Sequence, residues 1–276
     1  MTVLYFFRRI GMVLMMTLSF GLSLSPRPAA AQTDDTVPCV PPQALNNDAQ
    51  PDSTPEATAD APSQSTTTDV TSPPPSLDLR PLRTEDGSPI VYFTFDDGPF
   101  PPYTVQVLDL FAQYGGHATF FVMGRQVDQF PELVCREVQE GHYVGDHSYS
   151  HPHLTGLSTE ELTRELETTR AGIAQAIGGD PHQGLYMRPP FGSVDDALIA
   201  FSAQNGFTIA LWTLDTQDWN NLTSDQIVER VRGGLAPGAI ILMHDGGANR
   251  STTVAALEIL LPEIVEQGYV LKSLAF

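Results

Sequence analysis

Ile90-Val91-Tyr92-Phe93-Thr94-Phe95, followed at once by Asp96-Asp97-Gly98-Pro99, is the stretch on which the fold turns. The first part is built from β-branched and aromatic residues, the composition of a buried strand. The second part ends it with two carboxylates and a Gly-Pro turn. Working outward toward the C-terminus, helical and strand patterns alternate. Residues 105–114 read as a helix ended by Gly115-Gly116, 118–123 as a strand, 132–140 as a helix stopped by Gly141, and 142–145 as a short strand. Ser158 and Glu161 make a capping box for a long amphipathic helix over 158–177. A strand at 185–188, a helix at 194–204 and a strand at 207–213 follow. Ser224 caps a helix to Val231, and a strand at 239–243, a helix at 252–267 and a strand at 269–272 complete the chain. Strict alternation implies a parallel sheet with helices outside. Seven strands in about 190 residues fit a distorted, incomplete (β/α) barrel better than the full eightfold form. An open doubly wound sheet is the rival.

Toward the N-terminus the character changes. Residues 32–87 are rich in Pro, Ser, Thr, Asp and Ala and carry no sustained apolar period. Such a segment buries too little to offset its ordering entropy and reads as a disordered tether. Residues 1–31 read as an export signal: Arg8 and Arg9, an apolar run over 10–24, and Ala29-Ala30-Ala31 before Gln32. The run is shorter than the ~20 residues that span a bilayer, so membrane contact is expected only through this segment if it stays uncleaved. The globular domain is placed at 88–276 and the product outside the cytoplasm, secreted or in the cell envelope. Two cysteines, Cys39 and Cys135, allow one bridge in an oxidising compartment and match no metal motif.

The formal net charge is −19. That surface repels phosphate backbones, which excludes a nucleic-acid partner, and it opposes docking on anionic lipid. A neutral or cationic substrate is compatible with it.

The polar residues that interrupt the apolar pattern fall at strand C-terminal ends, where parallel α/β folds gather their catalytic groups. They are Asp96-Asp97, His147 and His151, Arg188, Asp215 and Asp218, and His244-Asp245. His147 and His151 are one helical turn apart, with Pro152 ending any helix there. With a carboxylate they make a catalytic zinc set that leaves positions open for water and substrate; the same set suits a ferrous oxygenase. Two adjacent carboxylates persist when something positive compensates them, so a metal on one would leave the other as a general base. The bland alternative is a turn with solvated acids. His244 is either a satisfied core histidine or a general acid whose pKa a neighbouring carboxylate, Asp218 or Asp215, raises. Arg188 either pairs with Asp96 or forms a surface ion pair.

Thr94-Phe95-Asp96-Asp97-Gly98-Pro99, His147-Ser148-Tyr149-Ser150-His151, Arg188-Pro189-Pro190-Phe191-Gly192, Asp215-Thr216-Gln217-Asp218-Trp219 and Leu242-Met243-His244 together resemble the five motifs of the polysaccharide deacetylases. This is the NodB-homology group, carbohydrate esterase family 4. The motifs occur in the family's order, and the fold implied is a (β/α) barrel with fewer than eight strands. The resemblance implies that Asp97, His147 and His151 bind one divalent metal, zinc first and cobalt or nickel as alternatives. It makes Asp96 the base, Arg188 its electrostatic partner, and His244 the acid tuned by Asp218. The backbone N–H of Phe191 joins the metal in an oxyanion hole. Leu242 and Trp219 line the acetyl pocket and substrate groove. The reaction implied is metal-assisted removal of N-acetyl groups from an amino-sugar polymer, such as peptidoglycan, a chitin-like chain or an exopolysaccharide. Phe191 stands where many relatives carry Tyr. Asp146 stands where Asn is common and adds negative charge near the metal. His117, His142, His153 and His182 match no catalytic position. The competing readings are an O-acetyl esterase on a polymer such as xylan, a non-catalytic glycan-binding domain, and, more distantly, a ferrous oxygenase.

Overall fold

The computed structural model describes residues 80–180 and 182–274. The signal segment, the tether through residue 79 and Cys39 lie outside the described residues. Cys135 is buried and is not a free thiol. Among the described residues no helix is long and apolar enough to cross a membrane.

The elements run β1 (Ile90–Asp96), α1 (Tyr103–Gln113), β2 (Thr119–Val122), α2 (Gly124–Gln129), α3 (Pro131–Gln139), β3 (Tyr143–Asp146), α4 (Thr159–Ala176), β4 (Tyr186–Met187), α5 (Asp196–Asn205), β5 (Thr208–Ile209), β6 (Leu214–Asp215), α6 (Ser224–Gly234), β7 (Ala239–His244), α7 (Ser251–Glu266) and β8 (Val270–Leu271). All strand pairs are parallel, in the order β5-β4-β3-β2-β1-β7-β6, with β8 paired to the first half of β1. β1 is central and buried along its whole length, as its composition requires. Phe93 and Phe95 pack edge-on to Phe111 of α1, and Phe120 stacks on Phe95, in the main core cluster.

The single strand expected over 207–213 is two strands at opposite edges of the sheet. β5 pairs with β4, and β6 pairs with β7. That split decides between barrel and open sheet. Seven flat strands at about 4.8 Å spacing would hold the outer two about 29 Å apart. The chain passes from Ile209 to Leu214 between those edges, and five residue steps reach at most about 18 Å. The sheet must therefore curl until its edges face one another, which gives a curled, incomplete barrel and rules out the open doubly wound rival.

Two smaller expectations also change. The cap of α6 is Thr223, not Ser224: its hydroxyl accepts from the Gln226 N–H, and the Gln226 side chain accepts from the Thr223 N–H in return. α2 was not expected from the sequence. The Ser158–Glu161 capping box forms as read. Ahead of β1, Arg80 donates to the Gly238 carbonyl and Tyr92 to that of Pro81, so the chain is packed on the domain before residue 88.

Candidate active site and metal centre

Register puts the chemistry together. Asp96 ends β1 directly opposite His244 of β7, and β3 and β4 end alongside through the Asp146–Met187 pair. Asp97 and His151 then leave their strand ends with positive φ, 72° and 63°, a conformation uncommon outside glycine and often found at functional sites. Asp97, His147 and His151 converge, their ligating atoms all within 4.8 Å of one another. His151 Nε2 lies 3.3 Å and His147 Nε2 3.6 Å from Asp97 Oδ1. That oxygen is buried and has no hydrogen-bond donor among the described residues. His147 Nδ1 is 2.7 Å from the Arg188 carbonyl, which only accepts, so Nδ1 carries a proton and Nε2 is the nitrogen turned toward Asp97. Burial first, and then repulsion from His147, lower the pKa of His151. A carboxylate oxygen with no donor, facing imidazole nitrogens, is a donor set suited to a divalent cation.

Beside this centre stands Asp96. Arg188 Nη1 donates to its Oδ1 at 2.8 Å, and its Oδ2 faces His147 Nε2 at 3.8 Å. Arg188 is completely buried, which replaces the surface-pair reading. The same guanidinium donates to the Thr94 hydroxyl and to the carbonyls of Ala210 and Leu211, and it lies over the Phe121 ring. Burial lowers its pKa, and the charge and hydrogen bond of Asp96 push back.

On the other flank, His244 Nδ1 lies 2.7 Å from Asp218 Oδ1. Asp218 Oδ2 accepts from the His244 N–H and from the Thr253 hydroxyl. Burial alone would lower the His244 pKa; the hydrogen bond and charge of Asp218 outweigh it, and the ring is raised above its ordinary value. The carboxyl of Asp218 responds in the opposite sense, lowered by His244 against its own burial. Asp215, the other carboxylate considered for this role, caps its own turn by accepting from the Gln217 N–H.

Asp96, Asp97, His147, His151, Phe191, Trp219, Leu242 and His244 all line one cavity of about 550 Å³, with Arg188 and Asp218 behind it. Leu242 forms a buried wall; Phe191 and Trp219 stand exposed. Phe191 has φ 61°, its ring edge-on to His151 and stacked on His153. Asp146 is buried, and among the described residues only one of its oxygens is bonded, accepting from the Ser148 N–H; burial pushes its carboxyl well above the usual range. His142 is structural: its Nδ1 accepts from the Ala118 N–H, and burial, then the neighbouring His117 and Arg136, lower its pKa to about 3. Sequence reasoning passed over Trp212 and Arg250, which line the cavity, and Thr253. Trp212 sits inside an apolar run, and α7 carries the other two in from a segment with no strand-end signature.

A family model described as polysaccharide deacetylase matches residues 83–210. A peptidoglycan-N-acetylglucosamine deacetylase of Bacillus cereus is 40% identical over 182 residues, 65% of this chain and 84% of that protein. A chitooligosaccharide deacetylase of Sinorhizobium fredii is 36% identical over 203 residues, covering 70% and 93%. Among solved structures, peptidoglycan deacetylase PdaC from Bacillus subtilis superposes with a TM-score of 0.64 at 36% identity, covering 69% of this chain and 90% of that one.

Proposed function

The chain belongs to the polysaccharide deacetylase family, and from that premise we propose that it is a metal-dependent hydrolase removing N-acetyl groups from an amino-sugar polymer of the peptidoglycan or chitin type. The observation that carries this reading is the pair of dyads flanking the cation donor set, Arg188–Asp96 on one side and Asp218–His244 on the other. Glycan binding alone has use for neither a base with a free oxygen nor an imidazole tuned to stay protonated. An amine is too poor a leaving group to depart as an anion, so amide hydrolysis needs such an acid.

Asp97, His147 and His151 would hold one divalent cation, zinc in the first instance and cobalt or nickel otherwise, which when bound supplies Lewis-acid polarisation of the acetamide carbonyl and of water. Asp96 accepts the proton of the attacking water at Oδ2, the oxygen Arg188 leaves free. Phe191 donates its backbone N–H to the carbonyl oxygen as negative charge develops. His244, anchored through Nδ1–H to Asp218, delivers a proton from Nε2 to the departing nitrogen. Leu242 confines the acetyl methyl group, and Trp219 offers a ring face to the sugar. The acidic surface suits a neutral or cationic glycan. The N-terminal pattern supports export by a signal over 1–31, with a tether from Gln32 that gives way to packed chain between residues 80 and 88.

The test is to supply the protein with zinc and either GlcNAc oligomers or peptidoglycan fragments, and to follow acetate and free amine together. Equal amounts of both are expected, with Asp96→Asn and His151→Ala inactive. Acetate without new amine from an ester polymer would move the assignment to O-deacetylation. Absence of acetate from all of them would overturn the catalytic reading.

A further inference from the structure

Two buried arginines are found among the described residues, Arg188 and Arg250. Arg188 is accounted for by Asp96. Arg250 lies outside the five motifs, at the N-cap of α7, yet it lines the cavity. Its Nε donates to the Gly246 carbonyl at 2.6 Å, and its Nη2 stands 3.8 Å from Asp97 Oδ2. The loop between them is shaped around the same carboxylate. A Cβ at Gly246 would sit 2.1 Å from the Asp97 carbonyl, and one at Gly247 would sit 2.7 Å from Asp97 Oδ2. Asp97 therefore has two unlike oxygens. Oδ2 is enclosed by Gly247 and the guanidinium, while Oδ1 has no donor and faces the two imidazoles.

We propose that Arg250, seated on the Gly246-Gly247 turn, is a positioning residue that engages Asp97 Oδ2 and so presents Oδ1 to the cation. The inference rests on the metal-dependent reading above. Two effects of the guanidinium oppose each other. Its charge repels a cation, but it also fixes a carboxylate whose backbone is already in an unfavourable conformation and which sits beside Asp96 and near Asp245. Groups that hold a ligating carboxylate from behind are worth about 10–100-fold in metal affinity. The cation would meet Oδ1, on the far side of the carboxylate from Arg250, so orientation outweighs repulsion.

The experiment titrates Zn2+ into the metal-stripped full chain by calorimetry for wild type, Arg250→Met, Arg250→Lys and, as a ligand-loss control, His151→Ala. Unfolding of the metal-free proteins in urea is measured alongside. Arg250→Met is expected to bind Zn2+ about 10–100-fold more weakly, with Lys recovering part of the loss, and to do so while still folded. Its deacetylation of GlcNAc oligomers should return toward the wild-type kcat when zinc is raised to saturation, with KM for the glycan little changed. Zinc affinity in the Met variant equal to or tighter than wild type would overturn the proposal. So would a loss that Lys does not relieve, or one explained wholly by unfolding. Failure of wild type itself to bind zinc would instead strike at the metal-dependent reading, which keeps the two results distinct.

Discussion

Replacing Arg188 with Met removes the guanidinium that pairs with Asp96 inside the barrel. The guanidinium is fully buried, and the Asp96 side chain is only 4% exposed, so solvent replaces the bond to Oδ1 poorly. What is lost can be counted from the contacts: a charge-assisted bond of 2.8 Å to Asp96, and bonds to the Thr94 hydroxyl and the carbonyls of Ala210 and Leu211. Removing one member of a buried pair costs about 3–5 kcal/mol, because the partner remains as an uncompensated charge. The two stranded carbonyls push the expected loss toward the upper end of that range. The pairing contribution is separable. In the double variant Arg188→Met with Asp96→Asn the orphan charge is gone, and about 2–3 kcal/mol should return through the coupling of neighbouring residues. Urea unfolding of the metal-free proteins, followed by circular dichroism, measures both. A loss below about 1 kcal/mol for the single variant, the range of an exposed pair, would refute this account of Arg188. So would a double variant no more stable than the single one.

Two further outcomes follow from the same geometry. Asp218→Asn removes the charge that raises His244 against its burial, so the imidazole loses its proton at lower pH; the high-pH limb of kcat/KM should move downward, with a larger loss at pH 8 than at pH 6, and a stationary limb would count against His244 as the acid. Glu137 of α3 is fully buried with no hydrogen-bond partner for either oxygen among the described residues, and burial pushes its carboxyl well above its ordinary value of 4.5. A raised acid stabilises the fold only while protonated, so its contribution falls as pH rises above about 4.5 toward the folded value; Glu137→Met should therefore raise stability by about 1–3 kcal/mol, more at pH 8 than at pH 5 by urea unfolding, and a less stable variant at pH 8 would show that Glu137 has a partner role.

Much of this site was legible in the sequence because its residues contradict their surroundings. Asp96, Arg188 and His244 terminate apolar strands, and a polar residue in that position needs a reason that composition can supply. Periodicity likewise located β1, β2, β3 and β7, where burial alone decides conformation. It failed over 207–213 for a physical reason. Phe207-Thr208-Ile209-Ala210-Leu211-Trp212-Thr213 is uniformly suited to a strand, with no glycine or proline to mark a break. Only long-range pairing divides it, through Ala210 N–H to Met187 on one side and Thr213 N–H to Ile240 on the other. α2 escaped for a related reason: it is short and opens with Gly124, and its first N–H groups are satisfied by the carbonyls of Ser148 and Tyr149 rather than by any local cap. Arg250 was invisible because its charge partner, Asp97, lies far back in the chain and no spacing connects them.

The split strand and Asp96 are linked through one side chain. A chain crossing from β5 to β6 cannot satisfy its own carbonyls, since at 210 and 211 it has left one ladder and not yet joined the next. Arg188 supplies those donors from β4's end, and the remaining arm of the same planar fork reaches Asp96. Lysine could not substitute, because a single ammonium lacks the reach and geometry to serve two carbonyls and a carboxylate at once. Closing the barrel and orienting Asp96 are thus linked: with the crossing at 210–213 in place, Arg188 holds Oδ1 and leaves Oδ2 toward His147. A change at Ala210 or Leu211 that loosens the crossing should therefore be felt at Asp96, although neither residue lines the cavity.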